Sequence, residues 1–218
     1  MDITWLGHAG FRIKSGSVAL VMDPFPDTLG LRLPPQHSQA NVVTISGNDP
    51  NRSAVDVVTG DTTPVVINGP GEYEAAGLRI KGVRTPAYAV EGEIAWNTVY
   101  IIEWEGLIIC HLGDPGRLLS GHEIEELGSP HVLIVPVGSK TGFSPADAVE
   151  TVNTISPRIT IPTMYAHAGN KSELREVTPF LQEFGATTAE THNRLSVTRA
   201  NLAEEATVTM LEPVGTLI

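Results

Sequence analysis

The sequence predicts a four-layered αββα sandwich, in which two mixed β-sheets pack face to face and helices cover the outer faces. Two observations predict it. Strands dominate the chain, and helical stretches come only late in each half. Two segments also share one plan. A hairpin ends in Asp23-Pro24 after Val18-Ala19-Leu20-Val21-Met22, and a second ends in Asp114-Pro115 after Leu107-Ile108-Ile109-Cys110-His111. Each is followed by a linker, an apolar strand (41–45 and 132–137) and another apolar strand (65–67 and 159–161). Identity between the halves is negligible, so the echo is architectural, and chance similarity between two hairpins is the competing reading. The expected organisation is one domain over residues 1–218, made of two halves, about 1–95 and 96–218.

The 218 residues suffice for a substantial core, and 41% hydrophobic with 18% charged residues is a globular composition. The 21 glycines and 16 prolines imply many tight turns between short strands. A formal charge of −11 repels phosphate backbones, which argues against nucleic acid as a partner. The single cysteine, Cys110, excludes an internal disulfide and a cysteine-rich zinc module. No basic stretch leads into an apolar one at Met1-Asp2-Ile3-Thr4-Trp5, and no apolar run reaches the ~20 residues of a membrane helix. The expected setting is the cytoplasm, away from the membrane.

Residues 2–6 read as a first strand closed by Gly7. Residues 11–14 alternate apolar and basic, as a half-exposed strand does. Residues 18–22 are apolar throughout, so that strand is buried on both faces. Pro24 cannot extend a ladder, which leaves Asp23 at the strand's end. Residues 25–40, with three prolines, form a loop. Strands follow at 41–45, 63–67 and 78–83, then a second loop over 85–96. Residues 98–104 and 107–110 make a hairpin around Glu105-Gly106. A short helix is expected near 121–127 with Ser120 as its N-cap. A strand covers 131–138. Ser144-Pro145-Ala146-Asp147 opens a helix that runs to about Ile155, with Ser at the cap, Pro first and acid in the first turn. A strand at 158–162, a helix over 172–184 ending at Gly185, and strands at 195–198 and 206–211 complete the chain.

On this plan Asp23, Ser46, Asp114 and Gly138 lie along one edge where strand ends from both sheets meet, a preferred place for ligands. The stretch Ser46-Gly47-Asn48-Asp49-Pro50-Asn51-Arg52-Ser53 sits there, and read alone it is an ordinary turn.

Six pieces in order, from residue 4 to about 165, resemble the metallo-β-lactamase superfamily, in particular its compact ascorbate-phosphate-lactonase-like branch of Zn-dependent hydrolases. They are Thr4-Trp5-Leu6-Gly7-His8-Ala9-Gly10-Phe11, Met22-Asp23-Pro24-Phe25, Gly69-Pro70-Gly71-Glu72-Tyr73-Glu74, His111-Leu112-Gly113-Asp114, Val135-Pro136-Val137-Gly138 and Ile159-Thr160-Ile161-Pro162. The resemblance implies the αββα sandwich and a zinc or manganese site. It places the family's H-x-H-x-D-H motif directly after Ser46. The first two histidines then fall on Gly47 and Asp49, the aspartate on Asn51 and the last histidine on Arg52. A later histidine falls on Met164, and the bridging aspartate is kept as Asp114.

Those side chains do not suit zinc, which takes imidazole, thiolate or carboxylate. Gly47 offers nothing, Asn51 is a weak ligand and no base, and Arg52 is always cationic. Met164 is a soft ligand suited to copper(I). Of the five changed places, Gly47, Asp49, Asn51, Arg52 and Met164, only Asp49 retains a metal-binding side chain. The expectation is that Arg52 stands where an ion stood and pairs with Asp114 or Asp49; a solvent-exposed loop arginine is the competing reading.

His8 is expected to hold its turn by hydrogen bonds, with Asp23 as a candidate partner and acid–base chemistry as the alternative. His167, three residues past Met164, is a candidate to compensate for the lost ligand. Cys110 is expected in the core, because adjacent strand residues face opposite ways and cannot form a thiolate–imidazole couple with His111. His122, His131 and Lys140 are expected at the surface. Glu72 and Tyr73 either line the rim or close a turn after Gly71.

The pocket candidates are therefore His8, Asp23, Asp49, Arg52, Asp114 and Met164, with no metal expected and one Zn or Mn as the alternative. Three functions are compatible with them. The first is a metal-poor member without hydrolytic turnover that binds a small-molecule ligand or another protein. The second is a hydrolase with a mononuclear site built on Asp49, Asp114 and His8 or His167. The third is a structural subunit of a homo-oligomer.

Overall fold

The computed structural model describes residues 1–88, 95–140, 142–187, 189–202 and 204–218. In chain order the elements are β1 (Asp2–Gly7), β2 (Gly10–Ser15), β3 (Val18–Met22), β4 (Leu31–Arg32), α1 (Pro35–Ser38), β5 (Val42–Ile45), β6 (Val65–Asn68), β7 (Gly71–Ala75), β8 (Leu78–Pro86), β9 (Trp96–Trp104) and β10 (Leu107–His111). They continue with α2 (Gly121–Leu127), β11 (Val132–Pro136), α3 (Pro145–Ile155), β12 (Ile159–Thr163), α4 (Thr178–Phe184), β13 (Thr191–His192), β14 (Leu195–Ser196), β15 (Thr207–Val208), β16 (Met210–Leu211) and β17 (Thr216–Leu217).

Two mixed sheets result. One runs β14-β1-β2-β3-β5-β6 and the other β15-β12-β11-β10-β9-β8-β7. Each contains the expected plan: an antiparallel hairpin (β2–β3, β9–β10) followed by two parallel strands (β5 and β6, β11 and β12). One continuous cluster joins Trp5, Phe11, Leu20 and Met22 of the first sheet to Tyr100, Ile102, Ile109 and Ile134 of the second. Each such side chain contributes roughly 1.5–3 kcal/mol on burial. The outer side of the second sheet carries α3, which packs on β11 and on α4.

The first sheet is covered differently. Leu6, Val21, Val43 and Ile45 alternate with the inward residues and form a second cluster with Phe25, Leu29, Leu31, Leu33 and Val58. Their cover is the loop expected over 25–40 together with the segment between β5 and β6. It contains single 3-10 turns at Asp27–Leu29, Pro50–Arg52 and Val55–Val57 and the one-turn α1. Prolines at 24, 26, 34 and 35 prevent a longer helix there.

Both helix starts read from capping residues are present. Ser120 with Glu123, and Ser144 with Asp147, form reciprocal capping boxes. The last helix is shorter than the expected 172–184. It begins at Thr178, because Pro179 fits only the first turn of a helix. The loop expected over 85–96 is also shorter, since β8 reaches Pro86 and β9 starts at Trp96. Its part at 89–94 lies outside the described residues. Glu72 and Tyr73 lie on the edge strand β7, and the Tyr73 hydroxyl donates to the carbonyls of Gly69 and Pro70 in the turn before it.

Candidate functional site

The carboxyl ends of β3, β5, β10, β11 and β12 converge on one edge with the β1–β2 turn. Three residues at this edge hold left-handed backbone without being glycine: His8 (φ 50°), Asp23 (φ 46°) and Met164 (φ 53°). Such conformations cost of order 1–3 kcal/mol each and persist where the surroundings over-determine them. The surroundings do so here. The His8 carbonyl accepts from Trp5 Nε1 (3.0 Å), Thr163 Oγ1 (2.8 Å) and Met164 N (3.2 Å). Asp23 N donates to Thr44 O (3.0 Å).

A hydrogen-bonded line crosses the edge. Arg52 Nη1 donates to Ser46 Oγ (3.1 Å), and Ser46 Oγ donates to Asp23 Oδ2 (2.5 Å). Ser46 N donates to Asp23 Oδ1 (2.7 Å), so both oxygens of this buried carboxylate are engaged. Arg52 is only 5% exposed. Its Nε lies 3.6 Å from Asp49 Oδ2 and its Nη2 4.0 Å from Asp114 Oδ2. The turn that delivers it is set locally: Asp49 caps Pro50–Arg52 by accepting from Asn51 N at 2.9 Å, and Pro50 supplies the first-turn geometry.

Asp114 is fixed from the second sheet. Its N donates to Asn97 Oδ1 (2.9 Å), while Asn97 Nδ2 donates to Thr85 Oγ1 (2.9 Å) and Leu112 O (2.8 Å). Gly113 has φ +66°, and a β-carbon there would collide with Asn97 Oδ1 and Ser46. Burial raises the Asp114 pKa above the ordinary carboxylate value, while Arg52 and a hydrogen bond from Ser139 pull it back down. Its Oδ1 is buried and lacks a hydrogen-bond partner.

His8 departs from the expected role. Its turn is held by its carbonyl, and Asp23 is satisfied by Ser46. The imidazole is 4% exposed and neither ring nitrogen finds a hydrogen-bond partner. Burial first, then Arg52, lowers its pKa to about 4, which keeps it neutral at pH 7. His167 sits beside it with its ring edge-on to Trp5. His167 Nε2 accepts from His8 N (3.4 Å), which puts its proton on Nδ1, facing Ala168 O (3.2 Å). Met164 is buried at the same edge. The structure thus gathers His8, Asp23, Asp49, Arg52, Asp114 and Met164 around the β5 loop.

Sequence reasoning assigned no role to Asn97, Ser139 or Tyr100. A lone amide or phenol inside a strand carries no spacing signal. Cys110 and His111 are both fully buried, and Phe11 meets the His111 ring edge-on. Lys140 is exposed and pairs with Glu173 at 3.2 Å. Among the described residues, no group of three or more His, Cys, Asp or Glu side chains converges as a metal cage. Among them, too, no helix is long and apolar enough to cross a membrane.

Residues 2–164 match the family model for the beta-lactamase superfamily domain. Two relatives, from Archaeoglobus fulgidus and Methanopyrus kandleri, are named UPF0173 metal-dependent hydrolases. They are 27% and 29% identical over 193 and 195 residues, covering 76% of this chain and 83% and 84% of theirs. A solved structure from Thermotoga maritima, whose name assigns it to the Zn-dependent hydrolases of the metallo-β-lactamase superfamily, superposes with a TM-score of 0.77 at 33% identity, over 96% of this chain and 97% of that one. Igni18, a metallo hydrolase of Ignicoccus hospitalis, shares the fold at 18% identity, with a TM-score of 0.68 over 100% and 97% of the two chains.

Proposed function

This chain belongs to the β-lactamase superfamily, and from that premise we propose that it is a binding member of the family without hydrolytic turnover, in which the Arg52 guanidinium takes the place of a metal ion. One observation carries the reading: the guanidinium is buried between Asp49, Asp114 and Ser46, against the backbone of Gly47. A zinc or manganese centre needs several anionic or imidazole donors facing one point. A permanent cation within 4.0 Å of Asp114 occupies that point and repels a dication. Without the ion there is no activated water, so a ligand held here is bound and not cleaved. The acidic surface argues for a small molecule or a protein partner over nucleic acid, and the setting we propose is the cytoplasm.

A metal-dependent hydrolase with a mononuclear site is the second reading. Its support is the name its relatives carry, together with the unpartnered nitrogens of His8 and the unpartnered Oδ1 of Asp114. His167 weakens it, because Nε2 already accepts from the His8 backbone. A structural subunit of an oligomer is the third, and solution mass addresses it.

Metal analysis of protein purified without chelator separates the first two. The expected result is substoichiometric zinc and manganese. Stoichiometric metal that disappears in Asp114→Ala would overturn the proposal.

A further inference from the structure

A second polar site lies at the opposite end of the second sheet, where β11 and β12 begin. A cleft of about 660 Å³ is lined there by Ser129, His131, Arg158, Arg199, Leu202 and Glu204, among others. Of these, Arg158 and Arg199 are exposed, and among the described residues neither forms an ion pair with a carboxylate, although the chain carries 25 acidic residues against 14 basic ones. Arg158 directs its Nη1 to the backbone carbonyl of Glu204.

The histidine between them adds a second, independent observation. Ile108 N donates to His131 Nδ1 at 2.9 Å. A backbone N–H can only donate, so Nδ1 carries the lone pair and the neutral ring carries its proton on Nε2. Nε2 faces Arg199 Nη1, which is also a donor. His131 Nε2–H and Arg199 Nη1 are thus two donors on the same side of the cleft. Burial first, then the Arg199 and Arg158 guanidiniums, holds the His131 pKa down, which agrees with a neutral ring. An oxyanion has enough acceptor atoms to take hydrogen bonds from His131 and both arginines at once.

We propose that the cleft formed by His131, Arg158 and Arg199 binds a phosphate group, free or as the ester of a small molecule. Guanidinium forks suit tetrahedral oxyanions, and Ser129 adds a hydroxyl at the rim. Pro130 and Leu202 give the cleft an apolar wall for the remainder of an ester. Two features oppose the anion: the carbonyl end of α3 at Ser156, and the Glu204 side chain. The first falls off within one helical turn, and two full positive charges outweigh it.

Calorimetric titration of the intact protein at constant ionic strength, with inorganic phosphate and glycerol phosphate as probes and chloride as reference, tests this. Saturable binding of a phosphate probe is expected, weakened at least about tenfold by Arg199→Gln and by Arg158→Gln. Both arginines are exposed, so the variants should melt like the parent. Glu204→Gln should tighten binding. Tighter binding of the ester assigns the apolar wall to its carbon skeleton, and equal binding assigns the site to the free ion. Absence of binding by both probes overturns the proposal, as does binding that the two arginine variants leave unchanged.

Discussion

Gly47 and Arg52 fit closely: a β-carbon on Gly47 would lie 3.2 Å from Arg52 Nη2 and 3.0 Å from Trp96 O, so its neighbours would have to give by a few tenths of an ångström. The arginine fills the space that a side chain at residue 47 would need. Gly47→Ala is therefore expected to destabilise the protein by about 1–3 kcal/mol through overpacking. The cost should shrink, without vanishing, when Arg52→Gln is also present, since the Trp96 carbonyl stays. Urea unfolding of the two single variants and the double variant measures this. A Gly47→Ala penalty independent of residue 52 would separate the two positions.

Removing the cation should expose what it neutralises. Arg52→Gln leaves Asp114 and Asp49 facing each other without a counter-charge and takes the donor from Ser46. Breaking a buried pair from one side costs roughly 3 kcal/mol. Asp114→Asn in the same chain should recover part of that cost, because the orphaned charge goes with it. If the double variant is no more stable than Arg52→Gln alone, Asp114 is not the partner that matters.

These couplings mark how far the sequence could be read. The sandwich was legible because it rests on local signals, namely the two hairpins with Asp-Pro ends, the Ser caps of α2 and α3, and continuous apolar strands such as Val132–Pro136. The shared hairpin plan placed Asp23 and Asp114 at one edge, but the pairing of Asp49 and Arg52 with them came only through the resemblance, since the four are spread over 92 positions of sequence. What stayed invisible depends on three-dimensional contact. Nothing near Asn97 says that its amide positions Asp114. Nothing near His8 says that its carbonyl, and not its ring, holds the turn.

Stability should rise with pH across the range in which His8 loses its proton in the unfolded chain. Its folded pKa is about 4 against an ordinary 6.5. The unfolded state therefore binds more protons between these values, and folding weakens as pH falls through them. Complete protonation of the unfolded side would cost about 3 kcal/mol. His37, His111, His131 and His167 are lowered too and act in the same direction. His8→Asn, which tolerates the left-handed backbone, should flatten the melting temperature against pH between 6.5 and 4. An unchanged slope would show that the other histidines supply it all.

One phenol hydroxyl ties the two sheets together beside the site. Tyr100 stands on β9 of the second sheet and is fully buried. Its hydroxyl accepts from Gly69 N (2.9 Å) and donates toward Ile45 O (2.9 Å), with Ile67 O at 3.2 Å, and all three partners belong to the first sheet's β5 and β6 or the turn after them. Ile45 directly precedes Ser46, so this oxygen, together with Thr98 N donating to Ser46 O (2.7 Å), helps fix where the Ser46–Asp23 pair sits relative to Asp114. Tyr100→Phe keeps the ring and its packing but strands the Gly69 N–H in the interior. The expected cost is about 1–3 kcal/mol, and the Gly69 amide should exchange with solvent measurably faster. Loss of stability without faster exchange at Gly69 would place the effect in ring packing instead of the inter-sheet bond.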